Sequence, residues 1–255
     1  MRILVTNDDG IHAPGLAVAE KIAREISDDV WVMAPETEQS GASHSLTLTS
    51  PLRLRQISER RFAVSGTPTD CVMMGALHVL KDKPPALVLS GVNAGSNLAD
   101  DVTYSGTIAG AMEGCALGIP SIALSQASDE DSRERFDWSP GSAHGPSLIR
   151  RLVEAGWPRG TLMNVNFPAC AANEVTGTVV VPQGRYDLQS TEIEERFDAR
   201  ARAYYWIGLR RRKASPPGDT DLGAVYSNKI AVTPLHMNLT DAPALAKMRL
   251  ALGQK

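Results

Sequence analysis

Short apolar runs alternate with stretches whose apolar residues recur at helical spacing, and this alternation continues to about residue 166. Arg2–Thr6, Val30–Ala34, the run "PALVLSGVNAG", Ile119–Leu124 and Leu162–Asn166 are predicted core strands. Near-continuous apolar strands of this kind belong to parallel sheets covered on both faces. A helix is predicted from about Pro14, with Leu16, Ala19, Ile22, Ala23 and Ile26 along one side. A second follows "GTPTD", where Thr67 suits the N-cap and Pro68 the first turn. The small-residue stretch "GTIAGAMEGCALG" suits a helix packed close to a sheet, and Ser147–Ala155 suits another helix. Leu46–Leu48, Leu52–Gln56 and Arg61–Val64 suit short strands, and the acidic stretch 128–142 a surface loop or helix start.

Strands alternating with helices imply a doubly wound, mostly parallel sheet in a three-layer α/β/α arrangement. The pattern changes beyond residue 170. Val175–Val181, Tyr204–Leu209 and Lys229–Thr233 are predicted strands with no helix between them, and a last helix is expected at about 241–251. The expected organisation is therefore a core over 1–170. A C-terminal part over 171–255 would hold strands, an extended β-hairpin arm at about 196–226 and the final helix.

Composition narrows the classes. A net charge of −3 gives no general reason to expect a stable nucleic-acid complex. Cys71, Cys115 and Cys170 form no CxxC pair and are expected as buried thiols of a reducing compartment. No apolar stretch is long enough for a bilayer, and no leader-type pattern opens the sequence, so a cytoplasmic protein without membrane contacts is expected.

In open α/β sheets, ligands bind outside the carboxyl ends of the strands. The polar residues predicted there are Asn7, Asp8 and Asp9 after the first strand, and Gln39, Ser40 and His44 after the second. Ser90, Asn93, Ser96 and Asn97 come from the third core strand, and Tyr104, Ser105, Gly106 and Thr107 from the helix start beyond it. Where many such folds carry a glycine-rich phosphate turn, this chain has "NDDG". Two carboxylates repel phosphate unless a cation lies between them. Carboxylate, hydroxyl and amide oxygens suit Mg²⁺, Mn²⁺ or Ca²⁺ rather than zinc. "YSGT" at a helix start offers hydroxyls and free N–H groups to an anion, and a cation beside it is the layout for phosphoester hydrolysis. The missing GxGxxG argues against a dinucleotide oxidoreductase. The Ser40–His44 pair lacks a nucleophile elbow, and the other histidines show no ligand spacing. A nucleotide or metal sensor would use the same ligand set without turnover.

The stretches "ILVTNDDGIHAPGL", "APETEQSGASHSLT", "GTPTDCV", "LVLSGVNAGSNLADDVTYSGTIAGAMEG", "GIPSIALS", "NVNFP" and "VTPLHMNLTD" occur in this order from the start to about residue 241. Together they resemble the SurE family of metal-dependent nucleotidases. The resemblance implies a Rossmann-like core and removal of phosphate from nucleoside 5'- and 3'-monophosphates, often also from short polyphosphate. It implies one divalent cation per subunit, Mn²⁺ or Mg²⁺, on Asp8, Asp9, Ser40 and Asn93. Asp8 and Asp9 would also be the catalytic pair, with phosphate contacts at Asn97, Ser105, Gly106 and Thr107. Attack by water and a covalent aspartyl-phosphate at Asp8 both remain open, although the Asp-x-Asp spacing of haloacid-dehalogenase-type phosphatases is absent. A homodimer or homotetramer with exchanged C-terminal segments is implied as well. The acidic loop at 128–137 and the basic run Arg210, Arg211, Arg212 and Lys213 match no family pattern. That run suits a solvated hairpin tip or a lure for polyanionic substrate.

Overall fold

The computed structural model describes residues 1–128, 136–186, 189–211 and 218–254. Arg212, Lys213 and most of the acidic loop lie outside the described residues, as do the side chains of Arg210 and Arg211. The strands are β1 (Ile3–Thr6), β2 (Val30–Pro35), β3 (Leu54–Ser58), β4 (Arg61–Val64), β5 (Leu87–Ala94), β6 (Ser121–Gln126), β7 (Thr161–Phe167), β8 (Gly177–Val180), β9 (Gln189–Phe197), β10 (Ala203–Arg211) and β11 (Lys229–His236). The α-helices are α1 (Pro14–Ile26), α2 (Pro68–Met74), α3 (Gly106–Ala116), α4 (Ser139–Ala155), α5 (Asp221–Tyr226) and α6 (Ala242–Ala251).

One sheet runs in the order β3-β4-β2-β1-β5-β6-β7-β11-β8. From β4 to β7 every neighbouring pair is parallel, while β3 and β11 run antiparallel to their inner neighbours. Alternate residues serve opposite faces, as strand geometry requires. Ile3, Val5, Leu87, Leu89, Ile122 and Leu124 join Leu16, Ile22 and Ile149 in the core beneath α1 and α4. Leu4 and Val88 face the other way, toward Cys71 and Val72 of α2, and Ala123 packs with Ile108 and Ala111 of α3. The three-layer α/β/α architecture expected from the alternation is the one observed. The chain leaves β1 toward β2 on one side and later returns to β5 on the other. The carboxyl ends of β1 and β5 therefore flank the topological switch point, where such sheets bind ligands.

Several elements differ from the sequence reading. Leu46–Leu48 is not a strand. Its polar groups are met by the α2 cap instead, since Thr47 N–H and Oγ1 donate to the Asp70 carboxylate at 3.1 and 2.6 Å. That cap is the expected one, with Thr67 Oγ1 accepting from Asp70 N–H and Thr67 N–H donating to Asp70 Oδ2. Helix α4 starts at Ser139 rather than Ser147 and contains Pro146. The glycines and prolines there lower helix propensity, but Gly145 admits Ile22 so closely that a Cβ would stand 2.8 Å from its Cδ1. Tertiary packing decides this segment. Helix α5 lies between β10 and β11, where no helix was expected. Its buried Asp221 accepts from Ala99 N–H and Gly184 N–H, tying it to both segments. The hairpin is β9 and β10, earlier than 196–226, and forms a sheet of its own. Among the described residues no helix is long and apolar enough to cross a membrane.

Candidate active site

The turn after β1 is built by local chemistry. Asn7 Nδ2 donates to the Gly10 carbonyl at 3.0 Å, and Gly10 holds φ at +101°, a region that favours glycine. Adjacent strand residues would face opposite ways, yet this turn brings Asp8 and Asp9 to the wall of one cavity. The Asp8 carbonyl accepts Gln39 N–H at 2.8 Å, so the loop carrying Ser40 is anchored to the same turn.

Helix α3 approaches this turn on a stripe of glycines. A Cβ at Gly106, Gly110 or Gly114 would stand 2.8 Å from Asp8 Cβ, 2.7 Å from Ser90 Oγ or 2.3 Å from Ser121 Oγ. The first turn of α3 therefore lies directly against Asp8. Thr107 Oγ1 donates to Asp8 Oδ1 at 2.5 Å, and Ser105 caps the helix by accepting Ile108 N–H at 3.1 Å.

The cavity has a volume of about 540 Å³. Asp8, Asp9, Ser40, Asn93, Asn97 and Ser105 all line it. Gly106 and Thr107 do not; they stand behind Asp8, with Thr107 fully buried. Asp9 Oδ2 accepts Ala94 N–H at 3.2 Å. Asn93 commits its Nδ2 to the Gly95 carbonyl at 2.9 Å, which leaves its carbonyl oxygen for a ligand. Ser40 sits on the exposed rim and donates to Glu38 Oε1 at 2.8 Å. Asn97 is held by buried polar side chains: its N–H donates to Asn166 Oδ1, its Nδ2 to Ser125 Oγ, and its carbonyl accepts from Asn164. His44 pairs instead with Glu113 at 3.0 Å and does not line the cavity.

The electrostatics are one-sided. Burial, reinforced by the charge of Asp9 and opposed by the Thr107 hydrogen bond, lifts the Asp8 carboxyl from 3.8 to about 6. Burial also raises Asp9, against the Ala94 hydrogen bond and with help from the charge of Glu38. Glu38 and Asp101 add two more carboxylates to the lining, and no Lys or Arg lies among the described lining residues. Such walls reject a bare phosphate and accept a cation. Asn7 Oδ1 is buried beside Asp8 with no hydrogen-bond partner among the described residues. No group of three or more His, Cys, Asp and Glu side chains able to hold a metal occurs among them either. A cation here would therefore rest on Asp8, Asp9 and neutral oxygens, a donor set that fits Mg²⁺ or Mn²⁺.

Part of the lining carries no signal in the sequence. Glu38, Asp101 and Trp138 belong to it, as do Ala13, Pro14 and Gly15 at the start of α1. Trp138 lies inside the polar stretch 128–142, whose composition hides it. Only the start of α4 on the α1 side of the sheet brings it to the cavity.

The family profile described as "Survival protein SurE" matches residues 3–190. A relative named "5'-nucleotidase SurE" from Methylobacterium sp. (strain 4-46) is 58% identical over 253 residues, covering 99% of this chain and 100% of the relative. A Brucella anthropi relative of the same name is 57% identical over 254 residues, covering 99% of this chain and 98% of its own. The crystal structure of SurE protein from Aquifex aeolicus superposes with a TM-score of 0.85 at 36% identity, covering 99% of this chain and 100% of that one.

Proposed function

The chain belongs to the SurE family, and from that premise we propose that it is a metal-dependent nucleotidase acting on nucleoside 5'- and 3'-monophosphates, with short polyphosphate as a further substrate. The nucleotidase activity itself follows from relatives of that name that match nearly the whole chain. The observation that carries the metal is a cavity with two desolvated, adjacent carboxylates and no basic side chain among its described lining residues.

In this reading Asp8, Asp9, Ser40 and Asn93 hold one Mg²⁺ or Mn²⁺. When bound, the cation supplies Lewis-acid polarisation of a phosphoryl oxygen and of water. The chain supplies the geometry. Thr107 Oγ1 fixes Oδ1 of Asp8 and leaves the other carboxylate oxygen for ligand. Ser105 and Asn97 contact the phosphoryl oxygens from the cavity wall. Thr107 Oγ1 and N–H hold the Asp8 carboxylate from behind, Gly106 lets the first turn of α3 approach it closely, and the dipole of that helix favours negative charge at the site. These donors are fixed before substrate arrives, so little reorganisation is needed as charge builds on the transferring group. A carboxylate of Asp8 or Asp9 orients the attacking water and takes its proton.

The C-terminal surfaces point to self-assembly. A lone two-stranded hairpin is marginal in water, yet β9 and β10 expose Ile193, Phe197, Tyr205, Trp206 and Ile207. Helix α6 has no buried residue and exposes Leu245 and Met248. These surfaces support a homodimer or homotetramer in which the C-terminal part, 171–255, is exchanged between subunits.

The deciding test is phosphate release from a panel of nucleoside monophosphates and short polyphosphate, metal-free, with Mg²⁺ and with Mn²⁺, beside Asp8→Asn. Metal-dependent release that disappears in the variant is the expected result. Nucleotide binding without release under any condition would replace the enzyme by a sensor.

A further inference from the structure

The candidate active-site cavity is chemically two-sided, and the proposed chemistry uses only one side. Asp8, Asp9, Asn93 and Ser105 form the polar end; Pro14, Gly15 and Trp138 form an apolar wall. The volume of about 540 Å³ falls within the ~300–1,000 Å³ of small-molecule sites and exceeds what a phosphoryl group and a cation need.

Trp138 is held on several sides. It packs against the core cluster shared by α1 and α4. Gly15 lets the indole lie on the backbone of α1, since a Cβ there would stand 2.9 Å from its Cη2. Phe136 stacks on the indole with ring centroids 5.4 Å apart and planes 27° apart. Trp138 is also the N-cap residue of α4, so its backbone is fixed by a long helix. The result is a rigid, half-buried aromatic surface at the wall of a phosphoester site.

We infer that Trp138, backed by Phe136, is the platform on which the base of a nucleoside monophosphate rests, and that it sets the preference for nucleotides over phosphates without a base. This rests on the nucleotidase reading above. Aromatic faces bind any base by stacking, which suits a site that accepts several nucleosides. Charge points the same way. Glu38 extends the negative lining beyond the aspartate pair, so a substrate that continues from its reacting phosphate as a neutral base is favoured over one that continues as more phosphate.

The test compares AMP with ribose 5-phosphate, which keeps the sugar and ester but lacks the base. Wild type, Trp138→Leu, Trp138→Phe and Phe136→Leu are assayed with Mn²⁺. In Trp138→Leu the ratio of kcat/KM for AMP over ribose 5-phosphate is expected to fall roughly tenfold, in the range of one base–aromatic stack, with the change in KM. Trp138→Phe should restore most of it, and Phe136→Leu should fall between. A ratio that stays within about twofold in all three variants, both substrates changing together, overturns the platform. If Trp138→Leu does not fold, Phe136→Leu decides by the same ratio. If wild type hydrolyses neither substrate, the nucleotidase reading fails, and the platform is judged by calorimetric binding with Mn²⁺ present. Weaker AMP binding in the Trp138 variants would then uphold it, and unchanged AMP binding would overturn it.

Discussion

Replacing Asp8 by Asn should make the metal-free protein more stable while destroying its activity. Asp8 is only 4% exposed, and burial is the main reason its carboxyl rises from 3.8 to about 6. At 1.36 kcal/mol per pH unit, ionising it inside the fold costs about 3 kcal/mol. A raised acid stabilises the fold fully below its unfolded value, near 3.8, and that stability is lost as the pH rises through about 6. At pH 7.5 the metal-free wild type carries the whole cost. The Asp8→Asn variant carries none of it and keeps an oxygen for Thr107 Oγ1. Thermal melts by circular dichroism in chelator, from pH 4 to pH 8, would measure the difference, and subtracting the two proteins cancels the other titrations. Equal melting is expected near pH 4. Above pH 6.5 the variant should melt higher, by up to roughly 6–12 °C for a chain of this size. Adding Mn²⁺ should stabilise wild type and leave the variant unmoved. A pH-independent difference, or a variant less stable at pH 7.5, would refute the claim that this site stores uncompensated negative charge for a cation.

Three other outcomes follow from the same geometry. Gly106→Ala places a Cβ 2.8 Å from Asp8 Cβ, so kcat/KM should drop on the order of 100-fold, as expected when a reacting group is displaced by about 1 Å, with circular dichroism unchanged. Thr107→Val removes the hydroxyl that lowers the Asp8 carboxyl. The acid limb of the pH–rate profile should then move to higher pH, and stability at pH 7.5 should fall by about 1.5–3 kcal/mol, the scale of a hydrogen bond to a charged group. Trp206→Asp with Ile207→Asp on the arm, or Leu245→Asp with Met248→Asp on α6, should yield smaller species by light scattering. An unchanged mass from both pairs would remove these surfaces from the assembly.

Much of the fold and of the site's polar half was legible because short-range chemistry dictates it. The apolar runs that become β1, β2, β5, β6 and β7 are buried on both faces, so their residues carry the pattern without help from distant neighbours. The Thr67 cap and the turn at Asn7–Gly10 are settled within four residues. Strand ends in such a sheet collect polar residues at one edge, so Asp8, Asp9, Ser40, Asn93, Asn97 and Ser105 could be gathered from sequence order alone. The second half of α4 was legible, but its first turns and the place of Trp138 were not. The polar, proline- and glycine-rich stretch before Ser147 reads locally as a loop or a helix start, and only packing against α1 settles it as helix and brings the indole to the cavity.

The layers and the strand-end donors are written locally, because periodicity, turn chemistry and ligand type are properties of residues close in the chain. How those donors behave depends on the packed fold. Beneath the close-packed first turn of α3, burial lifts the Asp8 carboxyl to about 6 against the opposing Thr107 hydrogen bond. Desolvation depends on what every other segment covers, and no local pattern encodes that.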